Sequence, residues 1–216
     1  MPDAIEKALA VAMSERSRIG EVLIRPTSTG GFALCHRDDE TRDRLTIFSR
    51  PESAIEIARF DDVGNYRPLK TVPNLRHGWR LDVVDLRELR RALDYFYPGR
   101  LATLAAWKEQ RLATTALRET LDRQSGIYRV AAKISDAQID DVVGKFCRSD
   151  GGCLRTILWK RDASDATASS KLPSEKFDLA HDQTGRNEPT IPLFCQEICS
   201  IVLNECRKAV KGEIKE

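Results

Sequence analysis

Four of the six cysteines in this 216-residue chain fall in two close pairs, and no other feature of the sequence constrains it as strongly. Five residues separate Cys147 from Cys153, three separate Cys195 from Cys199, and forty-one lie between the pairs. Cys35 stands far upstream and Cys206 follows close behind. Thiols so clustered fold a chain around disulfides in an oxidising compartment and around metal in a reducing one. The opening segment MPDAIEKALAVAMSER decides between them: Asp3 and Glu6 precede a short apolar stretch, which reads as an amphipathic helix and not as a secretory signal. No apolar run approaches the ~20 residues of a membrane span. A cytoplasmic chain with reduced thiols and no membrane contact is therefore expected.

Thiolate is a soft ligand, and four of them suit either an iron–sulfur cluster or tetrahedral zinc. Structural zinc favours short Cys-x2–4-Cys knuckles in both halves, and only the second pair fits. A cubane is larger than one ion and tolerates wider spacing, so spacing alone leans toward the cluster and leaves zinc open. On a helix Cys195, Cys199 and Cys206 would share a stripe. Cys206 would nonetheless lie ~10 Å beyond Cys199 along the axis, too far for joint ligation, and reads as a core thiol. Cys35, between Leu34 and His36 in a strand-like run, reads as a small buried hydrophobe. Cys195 near the start of a carboxy-terminal helix would meet the positive end of its dipole. Gly151-Gly152 could let backbone N–H groups approach the ligands, and Arg148 and Arg155 could offset their charge.

The periodicity predicts an α+β chain, a small amino-terminal β-hairpin and sheet with helices followed by a mainly helical cysteine-bearing domain. GEVLIRP and GGFALCHRDD flank Thr27–Gly30 as a hairpin, Arg44–Ser49 suggests a third strand, and Pro51 starts a helix through Phe60. GNYRPLKTVPNLRHGW is read as an irregular loop and Trp79–Val84 as a strand. Asp85 and Glu88 form a capping-box-like pair, and Leu86, Leu89, Leu93 and Phe96 an apolar stripe. Residues 100–123, rich in helix formers, read as one long helix, and Ile127–Ala132 as a short strand. Ser135 and Gln138 make a capping box for a helix that leads to Cys147. A short helix is expected at Cys153–Trp159 and a carboxy-terminal helix over Phe194–Val210. These elements divide into a domain over 1–124 and a cysteine-ligating domain over 125–216, with a polar insertion at about 162–190.

The runs CRSDGGCLRTILW and PLFCQEICSIVLNECRKAV resemble the iron–sulfur domain attached to CbiX-type sirohydrochlorin cobaltochelatases. The matching positions are Cys147, Cys153, Leu154, Arg155, Leu158 and Trp159, then Cys195, Glu197 and Cys199. YRPLKTVPNLRHGW and FYPGRLATLAAW resemble the stabilising domain that accompanies it, so the likeness covers roughly residues 20–210. It implies a four-iron, four-sulfur cluster ligated by Cys147, Cys153, Cys195 and Cys199. Leu193-Phe194, inserted between Pro192 and Cys195, departs from the pattern. The chelatase module itself has no counterpart in these residues. The three histidines, His36, His77 and His181, read as surface or loop residues and not as a metal-insertion site.

With 35 Lys+Arg against 33 Asp+Glu, the overall field does not call for nucleic acid, and the arginines of LRELRRAL fit a solvated helix face. The leading functional reading is a non-catalytic cluster-binding module, redox-active or accessory to tetrapyrrole (sirohydrochlorin/cobalamin) metallation, with a chelatase or redox protein as partner. A zinc-stapled interaction domain and an iron–sulfur enzyme with an unrecognised substrate site are the alternatives. No phosphate-binding loop, dinucleotide fingerprint or nucleophile motif supports an enzyme.

Overall fold

A computed structural model describes residues 5–6, 9–10, 13, 17–61, 63–66, 75–148, 156–162 and 190–213. The chain forms two compact units, Met1–Arg111 with Asp178–Leu193, and Leu112–Phe177 with Phe194–Glu216. The fold is α+β. No described helix is long and apolar enough to cross a membrane.

Branched apolar residues build the sheet of the first unit. Its strands are β1 (Ser17–Ile19), β2 (Val22–Pro26), β3 (Phe32–His36), β4 (Thr46–Phe48), β5 (Trp79–Val83) and β7 (Thr190–Ile191), in the order β4-β5-β3-β2-β1-β7. The hairpin expected around Thr27–Gly30 is β2–β3, antiparallel with Val22 opposite His36 and Ile24 opposite Leu34. The two edge pairs, β4–β5 and β1–β7, are parallel. Val22, Leu23 and Ile24 are all buried, so this strand is covered on both faces. The β1–β2 turn requires glycine: Gly20 has φ +56°, and a Cβ there would stand 2.4 Å from the Tyr97 hydroxyl oxygen. That hydroxyl accepts the Glu21 N–H at 2.9 Å.

Helix α1 (Ser53–Ile57) is shorter than the stretch to Phe60 expected from Pro51. Helix α2 (Leu86–Phe96) starts as the sequence predicts: the Asp85 carboxylate accepts the Glu88 N–H at 2.8 Å, and Glu88 accepts the Val84 N–H at 3.1 Å. It buries Leu89, Ala92, Leu93 and Phe96, the last stacked on Trp79 at 5.2 Å between ring centroids. Helix α3 (Arg100–Lys108) ends where Gln110 turns left-handed at φ +57°. The single helix expected over 100–123 is thus two shorter ones, the second being α4 (Leu117–Asp122) in the other unit. Backbone hydrogen bonds explain the break: Thr115 and Leu117 donate to the Gln196 and Lys160 carbonyls, at 3.0 and 2.8 Å, instead of to their own chain's preceding turn.

In the second unit, Gly126–Lys133 is a 3-10 helix where a strand was expected. Helix α5 (Asp136–Val143) carries the predicted capping box with both halves made, and passes into a π-helical turn over Gly144–Arg148. Strands β6 (Thr156–Ile157) and β8 (Phe194–Cys195) pair in parallel. Thr156–Ile157 is therefore extended, not helical as expected for Cys153–Trp159, whose first residues lie outside the described ones. Helix α6 runs over Ser200–Lys211 and not from Phe194. Leu117, Leu121, Ile139, Val142, Val143, Trp159, Val202 and Cys206 make one apolar core. The expected polar insertion falls mostly on 163–189, outside the described residues.

Candidate metal centre

Each of three expected ligands reaches the second unit's core from a different kind of backbone. Cys147 sits in the π-helical turn after α5, an irregularity that often marks functional positions. Cys195 ends β8, and Cys199 is the N-cap of α6. All three are half-buried and pack against the same apolar core. Cys153, with Gly151, Gly152 and Arg155, lies outside the described residues.

The placement of Cys195 corrects the sequence reading. It is not at the start of the last helix but five residues ahead of it, on a strand. The helix-terminus position belongs to Cys199, the N-cap, whose side chain makes no capping hydrogen bond. Negative charge on a thiolate at this point gains from the helix dipole.

Strand pairing then fixes the surroundings of Cys195. Its register partner is Ile157, and its carbonyl accepts the Leu158 N–H at 2.9 Å. Two residues beyond Ile157, the buried Trp159 directs its indole N–H at the Cys195 Sγ, 3.3 Å away. The thiol in turn donates to the Glu197 carbonyl at 3.0 Å. Trp159 as a donor to sulfur is a feature the sequence reading missed. The residue stands inside the Cys-Leu-Arg-x-x-Leu-Trp segment, so the signal was its presence there, without its role.

Of the other two cysteines, Cys206 is a core thiol, whereas Cys35 is half-buried and not the fully buried residue expected. Cys206 is buried on α6, seven positions after Cys199, and burial pushes its thiol up to about 12. Burial likewise raises the Cys35 thiol, which lies on β3 in the first unit. Thiols that resist ionisation are poor ligands, because the metal binds thiolate.

The donor set fits a thiolate-bound cluster. Three soft donors pack against one apolar core, an N–H donor faces the sulfur of one of them, and another stands at a helix start, where the potential is positive. Such a cluster, held by Cys147, Cys195, Cys199 and Cys153, would supply one-electron chemistry or a metal staple for the fold.

Comparison with known proteins agrees with this chemistry. Residues 5–111 match the family model of the DR2241 stabilising domain, and residues 109–208 that of the 4Fe-4S iron-sulfur cluster binding domain. A crystal structure of DR2241 from Deinococcus radiodurans matches with a TM-score of 0.73 and 28% identity over 96% of this chain. That protein is described as multi-domain, with structural similarity to chelatases and two additional novel domains. The chain spans 41% of its length. No curated protein matches.

Proposed function

We propose that this chain, a DR2241-type stabilising domain joined to a 4Fe-4S cluster binding domain, holds one cubane through Cys147, Cys153, Cys195 and Cys199 and serves as a non-catalytic redox or accessory module. The observation that carries this reading is the seating of three of those thiols against one core, with Trp159 donating to the sulfur of one of them. Cys153 stands three residues before Thr156, whose strand pairs with the strand of Cys195.

Four cysteine ligands leave no iron site open for a substrate, which favours electron transfer or structural support over Lewis-acid chemistry. The chelatase-like portion of the Deinococcus protein suggests the partner: a chelatase-type module acting on a tetrapyrrole such as sirohydrochlorin, in the cytoplasm. In that arrangement the cluster module contacts the metallating module and does not itself insert metal.

Substitution of the ligands tests the assignment. Cys147→Ser, Cys153→Ser, Cys195→Ser and Cys199→Ser should each lose most of the cluster iron and its visible absorbance. Cys35→Ser and Cys206→Ser should keep both. Iron lost in Cys206→Ser but kept in Cys199→Ser would contradict the ligand set. With the intact protein, cobalt insertion into sirohydrochlorin should not exceed the spontaneous rate, and turnover above it would overturn the non-catalytic reading.

A further inference from the structure

Apart from the cysteine site, the first unit brings two histidines and a carboxylate together. His36, the last residue of β3, is buried, contrary to the surface or loop position expected for it. Asp39 closes the 3-10 turn Arg37–Asp39 that follows, and is also buried. His77 arrives from the segment before β5 and is exposed. The two imidazole rings lie 4.0 Å apart between centroids, and His77 Nδ1 is 3.3 Å from Asp39 Oδ1.

We propose that His36, Asp39 and His77 form a second metal site, taking one divalent ion of the zinc class through two imidazoles and a carboxylate. One potential ligand atom from each residue lies within 4.8 Å of the others. Zinc bound at about 2.0–2.1 Å in tetrahedral geometry puts neighbouring donor atoms about 3.3 Å apart. The His77–Asp39 pair already has that spacing, and His77 is the one exposed ligand. Three protein ligands would leave a position open on the solvent side.

The surroundings fix the carboxylate in place. Asp39 Oδ2 accepts the Gly78 N–H. Arg42 reaches Asp39 Oδ1 at 3.1 Å from a half-exposed side chain, so a metal cation can displace it into water. His36 Nδ1 accepts the Asp38 N–H at 3.1 Å, which leaves the proton on Nε2, 3.9 Å from Glu21 Oε1. Ligation through Nδ1, in place of that N–H, would keep the proton on Nε2, on the side of the Glu21 carboxylate, as in a carboxylate–histidine–metal arrangement. Glu21 is itself fixed by the Leu75 N–H on its other oxygen at 2.7 Å.

Cobalt(II) is the probe, added to the full chain with its cysteines already loaded with iron and sulfide. One equivalent should bind with the visible bands of a nitrogen–oxygen site and no thiolate charge-transfer band, and zinc should displace it. Binding should raise the unfolding temperature of the wild type. His77→Ala, at an exposed position, and the isosteric Asp39→Asn should each weaken binding by at least about 10-fold and abolish that shift, with iron content unchanged. No saturable binding, binding equally tight in His77→Ala, or a thiolate charge-transfer band would overturn the site.

Discussion

Trp159 packs in the core and, from the same ring, presents its N–H to Cys195. A donor to a ligand sulfur stabilises the more negative, reduced form of a cluster more than the oxidised form. Trp159→Phe keeps an aromatic ring in the core and removes the donor. It should therefore retain the cluster and shift its reduction potential to a more negative value, read by an EPR-monitored redox titration. An unchanged or more positive potential would show that this hydrogen bond does not act on the cluster. The cysteine spacing made the candidate ligands legible from sequence. The Trp159 contact was not, because it depends on β6 pairing with β8, and the two partner residues lie thirty-six positions apart. The His36–Asp39–His77 group was hidden for the same reason: β3 and β5 are neighbours in the sheet but not in the chain.

Capping chemistry is local, and at the level of elements it was read well. The Ser135 hydroxyl accepts the Gln138 N–H at 3.3 Å, the Gln138 side chain accepts the Ser135 N–H at 3.0 Å, and the Gln138 amide also donates to the Ala209 carbonyl on α6 at 3.1 Å. This junction orients α5, which leads into the turn carrying Cys147. Ser135→Ala should cost about 1 kcal/mol of stability in denaturant unfolding of the metal-free protein. A cost near zero would mean that the cap does not set this helix. The misread elements share one cause, tertiary hydrogen bonding that overrides local preference. Residues 109–116 are rich in helix formers, yet Thr115 bonds to Gln196 across the fold of the second unit. Cys195 carries no local signal against helix, yet its strand is held by Ile157 and Leu158.

For the whole molecule, two family models meet near residue 110 and each corresponds largely to one compact unit. One unit is a sheet whose central strand is buried on both faces, and the other is a small helical core with thiols at its edge. A core of that size gains folding free energy from metal ligation. Iron, acid-labile sulfide and zinc analysis of the anaerobically prepared protein reads directly what those thiols hold. The expected result is about four irons and four sulfides per chain with little zinc at the cysteines, as for a thiolate-bound cubane. One tightly held zinc lost on Cys147→Ser, with no labile sulfide, would contradict it.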